Sequence, residues 1–187
     1  NYYASESHRS MFLKNLNIPE EYHHKAIRSG QPHELIVDSL TQYQSTDKQD
    51  TVMWPHRYNA DKQPEIAEAL SDTFDIIITQ KMKLDKADYY AKMGQSKLIF
   101  SCALHENLGI SVMEAVLTGA VPVVPDRCSY SEMYLPEFKY PSEWTEDYAA
   151  FVYYRNDLVN FIQDKLDNFE TYQQLIKDQQ QILINKN

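Results

Sequence analysis

Three short runs constrain this chain most: "FDIIITQ" at 74–80, "KLIFSCA" at 97–103 and "AVPVVPD" at 120–126. Each is a nearly unbroken series of large apolar residues. A strand of that kind is buried on both faces, and it belongs to a parallel sheet covered by helices. "TVMWPHR" at 51–57 reads as a fourth strand that runs out into a loop. The segments between them have helical character. "QPEIAEALSD" places Pro64 in a first turn, "DKADYYAKMGQ" ends with Gly94, and "GISVMEAVLTG" closes on Gly119. The alternation predicts an α/β fold, a Rossmann-like parallel sheet with helices on both faces. Ligands of such sheets bind at the carboxyl ends of the strands. The loops to inspect are therefore "PHRYNADK", "TQKMKL", "SCALHENLG" and "PDRCSYSE".

The flanks carry less information. A helix is expected from about Glu6 to Leu16, capped by Ser5, stopped before Pro19 and striped with Met11, Phe12, Leu13 and Leu16. Gly30 and Pro32 mark a turn, and residues 45–51 read as an exposed connection. From Glu143 onward two or three helices are expected, one of them rich in Gln and Leu over 168–184.

Length and charge narrow the class. The 187 residues suit one domain, or one domain and a fragment of another. The net charge of −9 argues against a general nucleic-acid or anionic-membrane surface, though not against a small basic pocket. No apolar run reaches the roughly 18 residues of a membrane span, and no signal peptide is seen. Cys102 and Cys128 have neither metal nor redox spacing and read as core thiols in a reducing compartment, so a cytoplasmic protein is expected. His23, His24 and His33 lie in an expected loop, and no metal site is predicted from them. A start at Asn1 rather than Met suggests a piece of a longer protein.

The third loop holds the chemistry. Leu108, Gly109 and Ile110 lead into a helix whose free amides and dipole can receive an anion. Gly109 leaves room for a phosphate. Glu106 is expected on the rim of that pocket. Glu114, eight positions on, is suited to accept hydrogen bonds from a pair of hydroxyls such as a ribose diol. His105 either reaches toward the ligand or caps the loop. In the first loop Arg57 and Lys62 follow a strand, and a guanidinium with an ammonium suits a diphosphate. The plainer alternative makes Glu106 a cap, Glu114 an exposed helix residue, and Arg57 and Lys62 an ordinary solvated pair.

Taken together these residues resemble the C-terminal, donor-binding domain of a GT-B glycosyltransferase of the glycosyltransferase 4 type. That family has an Arg-x4-Lys pair, matched by Arg57 and Lys62 in "WPHRYNADKQPE". Its Glu-x7-Glu motif is matched in "ENLGISVMEAVLTGAVPVV" at Glu106, Gly109, Glu114, Ala115, Gly119, Pro122, Val123 and Val124. Ser131-Glu132 resembles a further Ser-Glu of the family. The likeness covers roughly Thr51 to Glu132. His56 and Asn107 stand where the family usually has glycine, and "WPHR" is similar to the branch of queuosine-tRNA mannosyltransferases.

The resemblance implies one half of a GT-B fold. Residues 1–187 would form a single C-terminal nucleotide-sugar-binding domain. Residues 1–45 would be a lead-in and linker from a missing N-terminal, acceptor-binding domain, and residues 143–187 the C-terminal helices. It implies retaining sugar transfer from a UDP- or GDP-linked donor, without a metal or other cofactor, to an acceptor that could be a nucleic acid reached through the missing domain. Arg57 and Lys62 would stabilise the leaving diphosphate, assisted by amides near Leu108, Gly109 and Ile110. Glu114 would hold the ribose, and Glu106 would touch the donor sugar or steady positive charge at its anomeric carbon. His105 and Asn107 would border the donor. Alone, this domain would bind nucleotide without turnover. Three alternatives stay open: a dinucleotide-dependent oxidoreductase, which the absence of G-x-G-x-x-G after any strand disfavours; a non-catalytic nucleotide-sugar-binding module; and a GT-B sugar-nucleotide epimerase or phosphorylase.

Overall fold

The computed structural model describes residues 2–29 and 34–185, with side chains throughout except at 34–36 and 185. Gly30, Pro32 and His33, and with them the expected turn, lie outside the described residues. The chain begins with strand β1 (Tyr2–Tyr3), helix α1 (Glu6–Asn15) and strand β2 (Ile27–Arg28). β1 and β2 pair in parallel as a small separate sheet. Ser5 caps α1 by accepting the His8 amide at 3.2 Å, and Leu16 is the C-cap. Helix α2 (Glu34–Thr41) follows.

The main body comes next. It contains β3 (Gln49–Trp54), α3 (Pro64–Leu70), β4 (Asp75–Ile78), α4 (Thr79–Met82), α5 (Lys86–Gln95) and β5 (Ser96–Phe100). It continues with α6 (Ile110–Leu117), β6 (Val121–Pro125), α7 (Cys128–Met133), β7 (Lys139–Tyr140), α8 (Tyr148–Asp167) and α9 (Gln173–Asn185). The five strands from β3 to β7 form one parallel sheet in the order β4-β3-β5-β6-β7. This is the expected Rossmann-like arrangement.

Alternate residues of each strand feed opposite faces. Val52 and Trp54, Leu98 and Phe100, and Val121 and Val123 pack with α3 and α8 on one face. Met53, Ile99 and Val124 pack with α5, α6 and α7 on the other. Helix α9 contributes Ile176 to the first cluster and Leu183 to the second. Among the described residues no helix is long and apolar enough to cross a membrane.

Several local expectations change. The segment read as an exposed connection is partly strand, since β3 begins at Gln49. α2, α7 and β7 were not foreseen. Gly94 does not end its helix. It is a helical residue whose missing Cβ would stand 1.8 Å from the Tyr43 carbonyl oxygen, so the glycine is there for close packing. Gly119 does close α6, with φ +88°.

Strand order decides where a ligand can sit. From β3 the chain leaves through α3 toward β4, on one side of the sheet. From the neighbouring β5 it leaves through α6 toward β6, on the other. The crevice between two such diverging connections is the usual binding position of an open α/β sheet. The loops meeting there run from Pro55 to Lys62 and from Ser101 to Gly109.

Candidate functional site

Lys62 ends a short 3-10 turn, Ala60–Lys62, just after β3. The turn is fixed to the β5 loop, because the Leu104 amide donates to the Asp61 carbonyl at 2.8 Å. Its ammonium is drawn inward and largely covered. Nζ donates to the His105 carbonyl at 2.5 Å and to Glu106 Oε2 at 3.2 Å, and lies 3.2 Å from Asp61 Oδ2. Asp61 Oδ1 is buried without a hydrogen-bond partner.

Glu106 turns its other oxygen into the start of α6. Oε1 accepts the amides of Asn107 at 3.1 Å, Leu108 at 3.4 Å and Gly109 at 3.0 Å. At this helix start, where the sequence predicts an anion, the chain's own carboxylate takes the three amides. The cap reading of Glu106 describes this state. Gly109 is the N-cap of α6 at φ +75°, a region that favours glycine. A Cβ there would meet Tyr130 Cε1 at 2.7 Å, so the space expected for a phosphate is bounded by that ring. His105 and Asn107 are exposed, Leu108 is buried, and Ile110 is 42% exposed.

Arg57 is exposed on the same loop as Lys62 and engages no described partner. Glu114 is half-buried on α6 and accepts the Tyr90 hydroxyl at 2.8 Å. Burial raises its pKa, and the Tyr90 hydrogen bond and the Lys86 charge oppose that rise. Tyr89 is pushed up to about 12 by burial and then by the Glu114 charge. Beside them a cleft of about 530 Å3 opens at the ends of β3 and β4, lined by Pro55, Thr79, Gln80, Lys83, Lys86 and Tyr89 among others. It includes part of the loop "TQKMKL". A larger cleft of about 710 Å3 lies at the opposite end of the sheet. Its Lys48 donates to the Thr118 carbonyl at 3.0 Å and the Ser96 carbonyl at 3.3 Å, an arrangement that closes the C-terminus of α6.

Under the crevice lies a polar layer that the sequence did not disclose. His56 follows β3 and is buried, with Nε2 2.8 Å from Ser101 Oγ. Tyr130 donates to the same hydroxyl at 3.1 Å, and Tyr140 to the Ser101 carbonyl at 2.8 Å. Gln63 bridges the carbonyls of Cys102 at 2.6 Å and Thr145 at 2.8 Å. Arg127 donates to the carbonyls of Ser142 at 2.9 Å and Thr145 at 3.0 Å. These bonds tie the strand ends of β3, β5 and β6 together. Burial, then the Lys62 charge, lower the His56 pKa to about 4, so its imidazole is neutral at ordinary pH. The Trp54 ring stands edge-on to His56 at 5.3 Å and to Tyr58 at 5.8 Å between ring centroids.

Glu132, matched to the Ser-Glu pair, points elsewhere: its Oε1 accepts the Ser7 amide at the start of α1, at 3.4 Å. The structure thus brings Lys62, His105, Glu106, Asn107, Leu108 and Gly109 into direct contact. Arg57 borders them on its loop, and Glu114 is about one turn along α6. No protein-family model matches this chain.

Proposed function

We propose that this chain is the nucleotide-sugar-binding domain of a retaining glycosyltransferase. The observation that carries the reading is the meeting of the Lys62 ammonium, the amides of Asn107, Leu108 and Gly109, and Glu106 in the crevice between β3 and β5. Cation and oriented amides form an environment for a diphosphate. Arg57, exposed on the same loop, has a free guanidinium to add as the leaving group gathers charge. Glu114 then meets the ribose hydroxyls, and the cleft beside Tyr89 has room for the nucleobase. Glu106 faces the donor sugar once the diphosphate has taken the amides. His105, Asn107 and Ile110 form the outer rim. The acceptor would be held by a further domain.

Titration calorimetry of the chain with UDP, GDP and ADP tests this. Micromolar-to-millimolar binding of UDP or GDP is the expected result. No heat and no thermal shift with any of the three at millimolar concentration overturns it. Product analysis with the full-length protein then separates transfer from epimerisation or phosphorolysis.

A further inference from the structure

We propose that Glu106 is an intramolecular competitor of the ligand, a carboxylate latch that holds the phosphate cradle shut until a diphosphate displaces it. The inference rests on the proposed function only for naming that anion as part of a nucleotide.

The latch is visible in the contacts. One oxygen of Glu106 takes three successive amides at the start of α6, and the other takes Lys62. Those four donors are what an incoming phosphate would require. Two anions cannot share them, since the second would meet like charge and find these four donors taken. The side chain is still 18% exposed, so a ligand in solvent can reach it. Within the loop from Glu106 to Gly109 the positive φ falls on a glycine, Gly109.

Ser129 Oγ and Tyr134 Oη are buried without partners. The Ser129 amide donates to the Glu106 carbonyl at 3.4 Å, and the nearby Glu106 charge adds to burial in raising the Tyr134 pKa. With a nucleotide-sugar bound, a carboxylate leaving the amides would find the hydroxyls of the sugar. The latch would keep the amides satisfied in the empty protein and release the carboxylate only when the cradle fills.

The test uses inorganic pyrophosphate and UDP as probes, titrated into wild type, Glu106→Ala, Glu106→Gln and Asp61→Asn. Glu106→Ala should bind pyrophosphate about tenfold tighter or more, since a competing charged hydrogen-bond acceptor has gone. Glu106→Gln, whose neutral amide competes less well, should fall between. Asp61→Asn removes the same charge beside Lys62 and leaves the cradle occupied, so its gain should be smaller. If Glu106→Ala and Glu106→Gln, both shown folded by unchanged circular dichroism, bind pyrophosphate no tighter than wild type, there is no latch. The same holds if Asp61→Asn matches Glu106→Ala, or if pyrophosphate binds to none of the four. Tighter pyrophosphate binding without UDP or GDP binding would keep the latch and remove the nucleotide-sugar reading.

Discussion

Lys62 does more than an exposed lysine could, because its ammonium is fixed at both the His105 carbonyl and Glu106. A positioned cation can follow charge developing on a leaving group, and losing such a donor costs on the order of 10²–10³ in rate in other enzymes. Under the proposed function, Lys62→Ala and Arg57→Ala should each lose sugar-transfer activity on that scale. Near-normal turnover in either would make that residue a surface feature. His56 gives a second prediction. Its folded pKa, about 4, lies below the ordinary 6.5. Between those values the unfolded chain binds a proton that the fold excludes. Its contribution is therefore complete above about pH 6.5 and declines as pH falls toward about 4, by on the order of 3 kcal/mol at most. Lys62 strengthens the effect, and Glu106 and Asp61 oppose it. Urea titrations from pH 7 to 4 should show wild type losing more stability than His56→Gln, and parallel curves would refute the assignment.

At the level of elements, residues that do one job in isolation were readable and those set by neighbours were not. Strands β4, β5 and β6 announce themselves by continuous apolar runs, and α1 and α3 by Ser5 and Pro64 at their starts. β7 has two residues and exists because Lys139 and Tyr140 line up beside Val124 and Pro125, a tertiary event without a local pattern. α2 does carry a signal, since Val37 and Leu40 have helical spacing in "ELIVDSLT". Gly94 shows the same limit, because a helix-ending glycine and a packing glycine look alike until Tyr43 is in place. Adding a methyl there forces the Tyr43 carbonyl and α5 apart. Gly94→Ala should cost about 3 kcal/mol, at the upper end of overpacking effects. Chemical denaturation would measure it, and a loss below about 0.5 kcal/mol would mean the two segments part easily.

Across the whole molecule the sheet order places the site, and the sequence could indicate it only through polar loops after strands. It marked Arg57, Lys62, Glu106 and Glu114 because charged residues there are informative. It offered Glu106 as a cap only as one alternative, since folding back into the amides depends on a side-chain rotation within one loop. It could not show Ser101 beneath, which receives His56 and Tyr130 from distant segments. One consequence of that layer is optical. The chain has two tryptophans, and Trp144 lies between the rings of Tyr140 and Tyr154 on the α8 side. Trp54 is sealed at the tip of β3, against His56 and just under the crevice. Indole emission is quenched by a protonated imidazole and shifts with the local field. The molecule thus carries an intrinsic fluorophore at the base of its candidate site, and with Trp144→Phe as background its emission should report the charge on His56, and any ligand entering the crevice, without an attached dye.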